Sequence, residues 1–161
     1  LDTSENILRS VLSESAAQQV IKEHGLKECL AYMREHLGCW QGASDADLEA
    51  WLEWHWDMGL VAPILNHAGK LAALLVIRYI DSAELYRKTY THQKGGKICV
   101  VELLIVTEPP ALEAAVLGLA SRWGKPLFLM HERYKWGQRS EPKTLLWENV
   151  ERHLNKMYAF S

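Results

Sequence analysis

Along the first third of the chain, apolar positions recur at spacings of three and four, as on one face of an α-helix. Ile7, Leu8, Val11 and Leu12 follow a possible cap at Ser4, and Val20 and Ile21 continue the pattern. Gly25 predicts a stop, and Leu30, Met33 and Leu37 mark a further helix ending at Gly38, giving three short helices or two with a break. The strongest local signals surround the next helix, expected over about 45–58. Ser44 opens a Ser-x-x-Asp box with Asp47, acids crowd the first turn, and Gly59 follows the last periodic residue. On its helical wheel Leu48, Trp51, Leu52 and His55 share a face flanked by Trp54, Met58 and Trp56, an arc broad enough to require burial on more than one side.

From Leu60 the period changes. The runs 61–65 and 71–80, joined by Asn66-His67-Ala68-Gly69, predict an antiparallel hairpin. A polar connection over 81–97, with about one helical turn near 82–87, leads to a third strand near 97–107. That strand is apolar on both faces, the pattern of a strand covered on each side at the centre of a sheet. Pro109-Pro110 ends it and opens a helix over about 111–123, whose apolar face is Leu112, Ala115, Val116, Leu119 and Trp123. After Gly124 comes a short apolar strand, 127–130, so 97–131 predicts a strand-helix-strand unit with a right-handed parallel crossover. The tail resumes helical spacing over about 142–157, through Leu146, Val150, Leu154 and Met157.

A chain of 161 residues without repeats or a compositional linker suits a single α/β (α+β) domain, 1–161. It divides into a helical N-terminal portion (4–58), a core (61–131) and a C-terminal helix. Apolar residues make up 48% and charged residues 24%, so composition suggests neither disorder nor a membrane span, and the first residues lack the pattern of a secretory signal. A net charge of −2 gives no general field for nucleic acid, which is not expected as a partner. One local basic segment, Arg133, Lys135, Arg139 and Lys143 with Tyr134 and Trp136, is either a solvated loop or a phosphate contact. Cys29, Cys39 and Cys99 form no Cys-x-x-Cys pair and read as reduced thiols in a cytoplasm. The histidines show no metal-ligand spacing, and no metal is expected.

Glu102 is the chemically awkward residue. A carboxylate in an apolar central strand must find a partner or a proton, so it is either a general base or half of a structural ion pair, unless the position opens to solvent. His55, in the middle of the broad helical arc, is either a hydrogen-bonded core histidine or a base or ligand contact. His131 closes the last parallel strand, where ligands collect, or lies on the surface.

Over about 61–130, the order of hairpin, central strand, helix and parallel strand resembles the core of the GNAT acyltransferase superfamily. Glu102-Leu103-Leu104-Ile105-Val106, a Glu-x-Leu-x-Val string followed by Thr107-Glu108-Pro109, is similar to that family's central strand and its exit. The resemblance implies two parallel strands that splay apart and admit acyl-CoA between them. It implies Leu104, Ile105 and Val106 along the acyl and pantetheine slot, Glu102 as base, and Tyr134, in Tyr134-Lys135-Trp136-Gly137, as the donor of a proton to the departing thiolate. The chain diverges at the Arg/Gln-x-x-Gly-x-Gly/Ala loop that holds the cofactor pyrophosphate, where Pro109 and Pro110 remove two amide donors. Arg133, with Lys135 or Arg139, is then the expected phosphate contact.

Two functions follow as expectations. One is an N-acyltransferase using acetyl-CoA or another acyl-CoA on an unknown acceptor. The other is a non-catalytic GNAT-like module that has lost acyl-CoA binding and engages a small molecule, a protein or a second copy of itself, through the cleft or through an exposed patch containing Trp54, Trp56 or Trp136.

Overall fold

The computed structural model describes residues 3–36, 43–131, 134–135, 138–139 and 142–158. The chain begins with one long helix, α1 (Thr3–His36), followed by α2 (Asp45–Asp57). Ser44 caps α2 as its spacing predicts, its hydroxyl accepting from the Asp47 amide at 3.1 Å. The expected break at Gly25 does not occur. The reason is tertiary: a Cβ at Gly25 would come within 2.4 Å of the Trp56 ring, so glycine serves here to let α2 approach α1. Lys22 of α1 ties the same contact together through Glu53 and Asp57 of α2, each at 2.9 Å.

The hairpin is β1 (Val61–Leu65) and β2 (Leu71–Ile80). Asn66 builds its turn: the Asn66 side-chain oxygen accepts from the Ala68 and Lys70 amides, and Gly69 takes the left-handed conformation at φ +76°. A single helical turn, α3 (Leu85–Lys88), precedes β3 (Ile98–Val106), which leads through α4 (Pro110–Trp123) to β4 (Phe128–His131). Two short strands, β5 (Tyr134–Lys135) and β6 (Gln138–Arg139), pair with each other, and β7 (Lys143–Leu146) runs directly into α5 (Trp147–Tyr158). The tail is therefore not helical from 142 as expected. Residues 143–146 instead take the outer edge of β4, which would otherwise present a row of unpaired amides and carbonyls.

The architecture is α+β, with a five-stranded mixed sheet in the order β1-β2-β3-β4-β7 among the described residues. β3 and β4 are its parallel pair, and the other neighbours are antiparallel. One face is covered by α1 and α2, with Met33, Leu52, Leu74, Val76, Leu103 and Ile105 in its core. The other face carries α4 and α5 over Leu75, Ile77, Cys99, Leu119, Leu129 and Trp147. The broad arc of α2 follows from this arrangement: Trp51 and Trp56 pack on the first core and Trp54 on the second. Among the described residues, no helix is long and apolar enough to cross a membrane.

Two features of β3 matter for the site. Val76 pairs with Leu103 and Ile77 with Val101, so Glu102 is the extra residue of a β-bulge. The parallel pairing joins only Ile98–Val101 to Phe128–His131, so β3 from Glu102 to Val106 runs on past the end of β4. The segment between β2 and β3 also folds back: the Tyr79 amide donates to His92 Nδ1, the Gln93 amide donates to the Tyr79 carbonyl, and the Gln93 side-chain oxygen accepts from the Asp81 amide. Gly96 lies at this return, where a Cβ would meet the Ile80 backbone at 2.8 Å. Gly96→Ala is expected to push the return off β2 and lower stability by about 2 kcal/mol in urea denaturation.

Candidate functional site

Glu102 joins two very different environments. Toward α2 it meets a polar cluster built around Arg78, which is 1% exposed in the middle of β2. Arg78 Nε donates to Glu102 Oε1 at 2.6 Å, and its two terminal nitrogens donate to the Thr91 and Tyr86 carbonyls at 3.2 and 3.4 Å. Its guanidinium also lies 4.4 Å from the centre of the Tyr90 ring and 5.4 Å from that of Tyr86. A buried cation requires such compensation, since several kcal/mol of solvation is lost on burial.

The cluster continues to His55. Its Nδ1 lies 2.7 Å from the Trp51 carbonyl, which can only accept, so Nδ1 carries the proton and Nε2 accepts from the Tyr90 hydroxyl, also at 2.7 Å. Trp51 Nε1 in turn donates to the Tyr90 oxygen at 3.2 Å. Desolvation, and after it the charge of Glu102, raises the Tyr90 pKa and keeps the hydroxyl protonated for this role. Burial lowers the His55 pKa to about 4, against the hydrogen bond to Trp51 and with help from the charges of Arg78 and His92. His55 is thus a neutral core histidine with both nitrogens engaged, the structural one of its two sequence readings.

On the other side, Glu102 contributes to the wall of a cleft of about 560 Å³ where β3 outruns β4. Leu104 and Leu129 form its floor, Leu112 and Val116 of α4 one wall, and Leu145 and Val150 of β7 and α5 the other. The polar groups at its surface are Glu102, His131, Asn149 and His153. Lys143 stands directly opposite His131 in the β4–β7 ladder, which puts both side chains on the same face.

The sequence-predicted residues separate here. Glu102, Leu104 and His131 come together at the cleft, with Leu104 42% exposed. Ile105 alternates to the opposite face and is buried in the α1–α2 core, and Val106 packs near Ala111 at the start of α4. Tyr134 lies in β5 just beyond β4, its side chain outside the described residues, as is Arg133 altogether. Cys29 and Cys99 are buried thiols whose pKa values burial pushes up to about 12, which keeps them protonated.

The start of α4 has no amides to offer an anion. Pro109 and Pro110 have none, and those of Ala111 and Leu112 donate to the Glu108 and Pro109 carbonyls at 2.9 and 3.1 Å. Sequence reasoning missed Arg78, although the signal was the one that marked Glu102: a lone charge in an apolar strand, here on the strand next in sequence. It also missed Tyr90, Asn149 and His153, whose roles arise from long-range packing. Comparison of the chain with protein-family models, curated proteins and solved structures returned no match.

Two measurements test this geometry. Arg78→Leu removes the ion pair of the Glu102 carboxylate and is expected to cost about 3 kcal/mol, whereas adding Glu102→Leu to it should restore part of the loss rather than deepen it. The second concerns pH: the unfolded chain protonates His55 near its ordinary pKa of 6.5, and the folded chain only near 4. The His55 contribution is therefore complete above pH 6.5 and declines as pH falls to 4, by about 3 kcal/mol. Urea titrations across that window should show the loss, and His55→Gln should flatten it.

Proposed function

We propose that this chain is a divergent GNAT-like N-acyltransferase in which the cleft beside β3 receives the thioester end of an acyl-CoA. The observation that carries the reading is the short β3–β4 pairing. Among the described residues the parallel pairing reaches only Val101 and His131, and an apolar cleft lies beside β3 past that point with Glu102 in its wall. A ligand lying along Leu104 would have the backbone of β3 on one side and α4 on the other. The cleft volume of about 560 Å³ lies within the range of ordinary small-molecule sites.

In this reading an acceptor amine loses a proton to Glu102, directly or through a water, and its nitrogen attacks the thioester carbonyl. The C–N bond forms, the C–S bond breaks, and the departing thiolate takes a proton, a role that the resemblance gives to Tyr134. Arg78 fixes the orientation of the carboxylate through Oε1. Phosphate recognition falls to the basic side chains beyond β4, including Arg133, because the first turn of α4 has no free amides.

That missing cradle favours the second reading, a non-catalytic module of the same fold. In that reading the cleft is the better binding surface among the described residues: Trp54 and Trp56 are half-buried and divided between two cores, and Trp136 lies outside the described residues.

Calorimetry of the full chain with acetyl-CoA separates the readings. The acyltransferase reading expects heat of binding and a raised Tm, with about 2.7 kcal/mol of stabilisation at a hundredfold excess over Kd. It also expects thiol release when a panel of amines is added, with Glu102→Gln lowering turnover by about 100-fold and binding little changed. No heat, no stabilisation and no thiol release would leave only the binding module.

A further inference from the structure

The cleft beside β3 is larger and more apolar than an acetyl group requires. We propose that its acyl donor carries a fatty chain of at least medium length and is held chiefly by that chain. The proposal rests on the acyl-CoA reading and specifies the donor. Three independent observations point to it.

The first is the lining. Leu112, Val116, Leu145, Val150 and Leu154 come from three different elements, α4, β7 and α5, and converge on one space of about 560 Å³. Side chains drawn from both helices on that face form a channel between them, where a flexible apolar chain can exchange water for carbon along its length. Each buried methylene contributes about 0.8 kcal/mol, roughly a fourfold gain in affinity.

The second is the rim. Leu104 and Leu145 remain 42% and 43% exposed at the cleft although both sit in sheet strands. Large apolar side chains exposed together beside a cavity mark a surface that something covers. An acyl chain entering past them would cover both.

The third is the distribution of charge. A donor that inserts its chain between α4 and α5 must leave its anionic phosphates outside, and the start of α4 cannot receive them: Pro109 and Pro110 have no amide hydrogen, and the Ala111 and Leu112 amides are already used. Lys143, exposed opposite His131 on the cleft side of the β4–β7 ladder, supplies a cation at the end of β4 instead. With flexible side-chain cations such as Lys143 in place of a ring of fixed amides, the phosphate end contributes less and the chain must contribute more. An anionic carrier with an apolar tail matches this layout, whereas a short-chain donor would leave most of the cleft empty.

Calorimetry of the full chain with CoA, acetyl-CoA, octanoyl-CoA and free octanoate tests the proposal, each ligand below its micellar concentration. Octanoyl-CoA is expected to bind at least about 30-fold more tightly than acetyl-CoA, even with only part of the added chain buried. Leu104→Trp narrows the cleft at a half-exposed position and should pull that ratio toward one. Leu145→Asp, on the edge strand, makes the same test should the first variant fold poorly, and circular dichroism monitors both. Equal affinity for acetyl-CoA and octanoyl-CoA would overturn the chain proposal while sustaining the acyl-CoA reading. Octanoate binding as tightly as octanoyl-CoA would make the cleft a fatty-acid site and overturn the thioester. Failure of every ligand would overturn both.

Discussion

The ion pair between Arg78 and Glu102 is the constraint around which the rest of this structure is arranged. Two neighbouring strands each place one charge in an otherwise apolar run, and neither charge could be buried alone. The bulge at Glu102 gives its side chain the freedom to reach Arg78 while still bordering the cleft. Carbonyls of Thr91 and Tyr86 then each take a donor from one terminal nitrogen of Arg78, which requires the 81–97 connection to fold back over the sheet. The rings of Trp51 and His55 from α2 and of Tyr90 from the connection close the assembly. A polar connection in the sequence thus becomes the lid of a buried cation.

The same bulge sits where the parallel pairing stops. β3 keeps its antiparallel partner β2 as far as Val106, whereas its described pairing with β4 reaches only Val101, and the cleft lies beside the remainder of β3. α4 and α5 cover the exposed part of β3 without filling it. The proline pair at the start of α4 ends β3 sharply and begins the helix without spare amides, so this end of the cleft offers apolar surface and no helix amide for an anion. The GNAT-like reading draws its support from the cleft, and its divergence lies in the helix start.

Much of this was legible in local sequence. Ser44 and Asp47 mark the start of α2 because a cap bonds to an amide three residues away. Asn66 and Gly69 fix the hairpin for a similar reason. Glu102 stood out because a charge in an apolar strand carries a desolvation cost whatever surrounds it. His55 was ambiguous in the sequence, since both of its readings need a buried histidine. Only the carbonyl of Trp51 and the hydroxyl of Tyr90 distinguish them.

By itself, then, the sequence determined the elements from α2 to β4 and their order, the apolar faces of α2 and α4, and the residue that needed a partner. These are properties of neighbours within a few positions, where periodicity and capping act. Tertiary structure decided what depends on distant neighbours. Gly25 lies inside a helix and not at its end because the Trp56 ring fills the space a side chain would take. Residues 143–146 form a strand because the edge of β4 needs one. Leu104 faces the cleft while Ile105 faces the opposite core, because side chains alternate from a register that the bulge shifts by one. Register and bulge position come from pairing across the sheet, and that is why the wall of the cleft could be read only from the folded chain.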